Sequence, residues 1–86
     1  MLITLQNTPA IQLHPTDDVA IALMPLGAGR SLEVAGRAIQ LRSEIIAGHK
    51  FALRPIEPGQ PVRRYGQVIG FATRAIAPGE HVHSQN

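Results

Sequence analysis

The feature that most constrains this chain is a short phrase that occurs three times between Glu44 and Asn86. Each copy has an isoleucine, two further residues, a glycine, and a strand-forming residue two or three positions later. The copies are Ile45-Ile46-Ala47-Gly48 before Phe51, Ile56-Glu57-Pro58-Gly59 before Val62, and Ile76-Ala77-Pro78-Gly79 before Val82. Proline followed by glycine favours a type II turn, because proline presets a negative φ and glycine accepts a positive one. Each copy therefore predicts a buried isoleucine, a tight turn and a departing strand.

The rest of the chain has the same punctuation. The sequence contains eight glycines and seven prolines, and its apolar residues rarely recur at helical spacing. We therefore expect an all-β fold of short strands and hairpins, with little or no helix, in a single domain over residues 1–86. The predicted strands are residues 2–6, 11–13, 19–24, 33–35, 37–41, 50–54, 61–64, 67–74 and 80–84.

Single glycines add local expectations. The segment Leu26-Gly27-Ala28-Gly29 is expected to be a flexible connection. Gly36 and Gly66 are expected to lie at turns, and Gly70 predicts a bulge or a close backbone approach. The inward residues of the hairpin around Gly36 are predicted to be Val34, Ile39 and Leu41.

Composition excludes several classes of protein. The chain has no cysteine, so disulfides and thiolate metal sites are absent, and its 3% aromatic content requires an aliphatic core. The net charge is only +2, and no run of arginines exceeds two, which argues against nucleic-acid binding. No apolar run approaches the length of a membrane span, and the N-terminus does not resemble a secretory leader. A cytoplasmic protein without membrane contact is expected.

Three of the four histidines, His49, His81 and His83, follow turn glycines. His81 and His83 are two positions apart, so on a strand both imidazoles point to one face and could meet the same ligand or metal ion. Two imidazoles do not complete a metal site, so a partner would have to add carboxylates. The alternative is an exposed tail without chemistry. His49 suits an acid or a base, and Lys50 suits a substrate carboxylate, unless the two form an ordinary polar turn.

Other polar residues have two interpretations each. His14 is a candidate functional residue in a turn, whereas Asp17 and Asp18 are expected to form a local Asx-turn. Tyr65 either donates a hydrogen bond to a substrate hydroxyl or packs half-buried beside its neighbouring glycine. The pair at positions 63 and 64, both arginine, is expected to be solvated on an edge strand.

Four segments, taken in order, resemble the SAF domain of the altronate and galactarate dehydratases. That family's motifs read His-Pro-x-Asp-Asn-Val-Ala, Ile-Pro-x-Gly-His-Lys-x-Ala, Tyr-Gly-x-x-Ile-Gly-x-Ala and Gly-x-x-Val-His-x-His-Asn. The matching segments here are residues 14–20, 45–52, 65–72 and 79–86. Three departures stand out: Asp18 replaces an asparagine, Ile46 a proline and Gln85 a histidine.

The resemblance implies a β-clip fold of long bent hairpins in a small subunit that works with a separate large catalytic subunit and is inactive alone. The family reaction removes water from a hydroxy acid, with a divalent metal, Fe or Mn, shared with the large subunit. Under this resemblance His49, His81 and His83 are acid/base groups, His81 and His83 are also metal ligands, and substrate contacts come from Lys50, His14 and Tyr65.

Gln85 leaves a different substrate open, as in the small subunit of the sulfolactate sulfo-lyases. A third alternative is a carbohydrate-binding or self-assembling SAF module without catalysis. Self-association into a homo-oligomer also remains open.

Overall fold

A computed structural model describes residues 8–83 of the chain. This range contains eight strands and no helix, so the all-β prediction is confirmed for this part of the protein. The predicted strand at residues 2–6 and the departure at Gln85 lie outside the described residues. The strands are β1 (Ala10–Ile11), β2 (Val19–Ala22), β3 (Ser31–Val34), β4 (Arg37–Gln40), β5 (Lys50–Ala52), β6 (Pro61–Arg64), β7 (Gln67–Phe71) and β8 (His81–Val82).

A four-stranded antiparallel sheet, in the order β1-β2-β5-β8, forms the centre of the fold. Two separate hairpins complete it: the first hairpin (β3–β4) connects β2 to β5, and the second hairpin (β6–β7) connects β5 to β8. No helix in this stretch is long and apolar enough to cross a bilayer.

Each face of the central sheet has its own hydrophobic core. Because side chains alternate along a strand, Ala20 and Phe51 project to one face, and Val19 and Ala52 to the other. The first face packs with residues of the first hairpin, and the opposite face packs with residues of the second. The buried residues of the first hairpin include Val34, Ile39 and Leu41, as predicted. The buried residues on the opposite side include Ile56, Val62, Ala72, Ile76 and Val82.

The turn phrase occurs four times rather than three. Leu26-Gly27-Ala28-Gly29 is a further copy, so its prediction as a flexible connection was wrong. Leu26 is buried and forms an antiparallel bridge with Ile45, just as Ile56 does with Ile76. The turn glycines have φ of 82°, 86°, 83° and 84°. In every copy the residue after the glycine donates a backbone hydrogen bond of 3.0–3.2 Å to the carbonyl three positions back, as in a type II turn.

The two halves of the chain have the same architecture. Each runs from a strand through a turn copy, a hairpin and a second turn copy into another strand. The hairpin tips Ala35-Gly36 and Tyr65-Gly66 both have two positive φ angles, which is the signature of a type I′ turn. The strand pairing of the two hairpins differs at one point: in the second hairpin Ile69 is an extra residue between the pairs Arg63↔Val68 and Val62↔Gly70. The bulge predicted near Gly70 is confirmed, and no close backbone approach occurs there.

Two buried carboxylates attach the second hairpin to the start of β2. Asp17 accepts hydrogen bonds from the backbone N–H groups of Tyr65 and Gly66, each at 2.7 Å. Asp18, only 1% exposed, accepts from the backbone N–H of Arg63 at 2.7 Å and pairs with the guanidinium of Arg54. The expected local Asx-turn was therefore wrong, since both side chains make contacts more than thirty residues away in sequence.

One turn glycine allows a close approach that its equivalents do not require. A Cβ on Gly79 would lie 2.0 Å from the carbonyl oxygen of Gln40, whereas a Cβ on Gly59 meets nothing within 4 Å. We expect Gly59→Ala to lower the free energy of unfolding by about 1–2 kcal/mol, the cost of a left-handed alanine. Gly79→Ala should cost about 1–3 kcal/mol more, because backbone must move. Urea unfolding of both variants measures the difference, and equal losses would contradict the close contact.

The Asp17 contacts make a second prediction. Asp17→Ala removes two charge-assisted hydrogen bonds at the tip of the second hairpin and should lower the free energy of unfolding by about 2–3 kcal/mol. Asp17→Asn keeps one acceptor oxygen and should lose less. Glu33→Ala, an exposed change in the first hairpin, is the control and should stay within about 0.5 kcal/mol of the parent. A loss for Asp17→Ala no larger than that of the control would argue against this bracing role.

Candidate functional site

Three histidines meet at the end of the central sheet. His49 ends the turn before β5, and His81 begins β8, which pairs with β5 through Lys50↔Val82 and Phe51↔His81. His49 Nδ1 lies 3.1 Å from His81 Nε2, a hydrogen bond whose donor depends on the tautomers. The ring centroids of His81 and His83 are 5.0 Å apart. The strand spacing thus places His81 and His83 together, as predicted, and the sheet adds His49.

The electrostatics of this imidazole cluster (His49, His81 and His83) favour a neutral His81. Partial burial lowers the pKa of His81, and the nearby positive charges of His83, His49 and Lys50 lower it further. A lowered pKa keeps this imidazole unprotonated and able to accept a proton near neutral pH. Within residues 8–83, no set of three or more histidine, aspartate or glutamate side chains is arranged to hold a metal ion.

A pocket of about 450 Å³ adjoins the cluster. Its wall combines cationic, imidazole and apolar groups, and in the described part of the chain it includes no carboxylate. The lining residues are Lys50, Val62, Arg64, Ile69, Gly70, Phe71, Val82 and His83. His83 belongs to both the cluster and the pocket wall. A small anion matches the cationic part of this lining, because Lys50 and Arg64 supply positive charge beside an imidazole.

The structure does not bring His14 and Tyr65 to this pocket. The His14 ring lies at the tip of the second hairpin, where a Cβ on Gly66 would be 3.2 Å from it, and its Nδ1 is 2.8 Å from Thr16 Oγ1. Tyr65 is at the same tip and 69% exposed, so the predicted half-buried packing was wrong. Neither residue is part of the pocket wall as the described residues form it.

Sequence reasoning named only Lys50 and His83 among the eight described residues that line the pocket; three of the six that it missed, Arg64, Ile69 and Phe71, are exposed. Arg64 was expected to be a solvated edge residue; it is exposed but lines the pocket. Ile69 and Phe71 were assigned only to a strand. The signal for Ile69 was the neighbouring Gly70, because a bulge re-aims side chains at a strand edge.

These features define a class of protein: a small all-β domain whose central sheet lies between two hydrophobic cores, with the imidazole cluster at the end of the sheet beside a cationic pocket. Over residues 8–86 the sequence matches the altronate/galactarate dehydratase SAF domain. The chain belongs to that family.

Curated relatives fall into two groups by length. The chain is 43% identical over 76 residues to the altronate dehydratase of Escherichia coli (strain K12), a match that covers 88% of this chain and 15% of the relative. It is 38% identical over 80 residues to the galactarate dehydratase (L-threo-forming) of the same organism, with 90% and 15% covered. The chain thus spans about 15% of the length of these dehydratases.

A third relative is close to this chain in size. The (2R)-sulfolactate sulfo-lyase subunit alpha of Chromohalobacter salexigens is 29% identical over 82 residues, covering 86% of this chain and 87% of the relative. The match therefore covers most of a protein that is itself one subunit of an enzyme.

The cluster predicts a measurable titration. We expect the NMR midpoint of His81 to lie below the ordinary histidine value, and His83→Gln to raise it, because one neighbouring positive charge is removed while burial remains. His14→Gln, at the far hairpin tip, should leave it unchanged. An unaltered His81 midpoint in His83→Gln would show that the two rings do not interact.

The same shift affects stability. Because the pKa of His81 is lowered in the folded chain, the unfolded chain binds more protons than the folded chain at pH values between the native and the unfolded pKa. The contribution of His81 to folding stability is complete above the pKa of histidine in the unfolded chain, about 6.5. This contribution is lost as the pH falls through the lowered pKa of His81 in the folded chain.

Proposed function

We propose that this chain is the small subunit of a sugar-acid dehydratase of the altronate/galactarate type. The enzyme would be a hydro-lyase whose remaining catalytic groups come from a separate large subunit. The observation that carries the proposal is the imidazole cluster beside Lys50 in a member of the dehydratase SAF family. The subunit arrangement is supported by the sulfo-lyase relative of similar size. As part of the same proposal, the complex acts in the cytoplasm.

The chemistry suits the geometry of the site. Elimination of water from a hydroxy acid breaks a C–H bond α to the carboxylate and a C–O bond at the β carbon. Neutral His81 is suited to accept the α proton, and a protonated neighbour in the cluster is suited to donate a proton to the departing hydroxyl. Lys50 and Arg64 would bind the carboxylate in the pocket. The enol that remains tautomerises to a 2-keto acid.

A divalent metal, Fe or Mn, belongs to the proposal only in the assembled enzyme. The described residues do not form a metal site by themselves, although His81 and His83 offer imidazole nitrogens of the kind such metals accept. Oxygen ligands from the large subunit would have to complete the set. When bound, the metal would stabilise negative charge on the substrate.

Sulfite elimination is the second candidate reaction. It is favoured by one observation: this chain covers 87% of a sulfolactate sulfo-lyase subunit but only 15% of the dehydratases. The same base and carboxylate contacts would serve, with sulfite rather than water as the leaving group.

Activity of the assembled enzyme tests the proposal. The tagged chain is purified from its native cells with its partner, identified by mass spectrometry, and assayed with altronate, galactarate and sulfolactate. We expect activity in the complex and none in the isolated chain. His81→Gln should lower kcat by about 10²–10⁴-fold, as expected for loss of an acid/base group, and Lys50→Met should mainly raise KM.

Arg30→Gln is the matched control. Arg30 follows the turn glycine Gly29 in the same way as His49 of the cluster follows the turn glycine Gly48. It should retain the activity of the parent complex. A chain that purifies alone, or a complex whose activity survives both site variants, would reject the catalytic role and favour a carbohydrate-binding or self-assembling module.

A further inference from the structure

The second hairpin exposes four large apolar side chains. Tyr65 is 69% exposed, Phe71 66%, and Val68 and Ile69 47% each. We call these four residues the β7 patch. Three of them lie on β7 and the fourth at the turn before it, so all four belong to one hairpin rather than being scattered over the surface.

The first hairpin shows that the fold does not require this patch. The residues of the first hairpin at the equivalent positions are Ala35, Ala38 and Gln40, which are small or polar and also exposed. Ile69 has no counterpart there because it is the bulge residue. The two hairpins therefore share a backbone design, yet only the second places large apolar groups in solvent. Hairpin formation alone does not explain them.

Tyr65 adds an aromatic ring to this surface. Its φ of 57° lies in the left-handed region, where asparagine or glycine is favoured over other residues. An aromatic side chain that is 69% exposed gains little from the core of its own chain. Ala35 at the tip of the first hairpin has a comparable φ of 51°, so the turn itself accounts for this backbone conformation, and Tyr65 differs from Ala35 in exposing an aromatic ring.

The patch is continuous with the proposed site. Ile69 and Phe71 line the pocket together with Lys50, Arg64 and His83. A body that covered the patch would therefore close this pocket as well. It would need an apolar face for the patch and acidic groups for the cations, because the described lining contains no carboxylate.

We propose that the β7 patch is the surface on which the large subunit docks. This inference rests on the proposed function. The greater part of each dehydratase relative lies beyond the region that this chain matches, so a large body remains to be accommodated beside the pocket. Docking there would bury the apolar side chains and bring carboxylates to Lys50, Arg64 and the imidazole cluster.

Paired variants on the two hairpins test the surface in the complex isolated from native cells. Val68→Asp puts a charge into the patch, and Ala38→Asp puts the same charge at the matched position of the first hairpin. We expect Val68→Asp to lower recovery of the large subunit by about tenfold or more, corresponding to about 1.4 kcal/mol, while Ala38→Asp stays within about twofold. Unchanged thermal unfolding of the isolated Val68→Asp chain shows that folding is intact. If Val68→Asp destabilises the chain, Phe71→Ser is used in its place.

Photo-crosslinking identifies the occupant. A benzophenone amino acid is placed at position 71 or, as the control, at position 40, and the products are identified by mass spectrometry. Crosslinks from position 71 to a dehydratase-like large chain, with none from position 40, are expected. A crosslink from position 71 to a second copy of this chain would overturn the proposal in favour of self-association.

The remaining outcomes separate the two proposals. If the large subunit is recovered equally with Val68→Asp and Phe71→Ser and does not crosslink at position 71, the docking surface is wrong while the subunit function stands. If the parent chain recovers no large subunit, the proposed function fails, and the docking surface fails with it.

Discussion

The backbone hydrogen bond made by each turn glycine is the interaction on which the rest of the fold depends. Gly29, Gly48, Gly59 and Gly79 each donate their N–H to a carbonyl of a neighbouring strand segment at 2.8 Å. Each glycine follows a buried aliphatic residue by three positions, so one short phrase anchors a side chain and reverses the chain at once. A small chain with no disulfide and one buried aromatic residue needs such repeated anchoring, because its core is modest.

The buried carboxylates make the two halves unequal. Asp17 and Asp18 hold the tip and the β6 strand of the second hairpin, and the pocket forms beside that hairpin. The orientation of Ile69, Phe71 and Arg64 thus depends on hydrogen bonds made at the start of β2. This links a motif in the first quarter of the sequence to a site formed mostly by the second half.

Local chemistry explains what the sequence allowed us to predict. Proline-glycine turns and strand alternation gave the all-β fold and the shared face of His81 and His83, since both depend on neighbours in sequence. The copy at Leu26 escaped notice because it begins with leucine, whereas the phrase was defined by isoleucine. The contacts of Asp17 and Asp18, and the approach of His49 to His81, depend on which strands pair, which spacing does not specify. His14 and Tyr65 lie at the tip of the second hairpin, away from the pocket wall, and their role as substrate contacts stays a prediction.

The repeated architecture determines how the domain can be divided. Strand β5 closes the first half and opens the second, so the two units overlap and neither possesses a full complement of strands. Excising one unit would strip β5 of a neighbour and open one of the two cores. Neither unit is therefore expected to fold by itself, because both depend on the shared strand β5. The two hairpins lie outside this shared strand, so the second can carry a bulge and exposed apolar groups while the sheet between the two cores is unchanged.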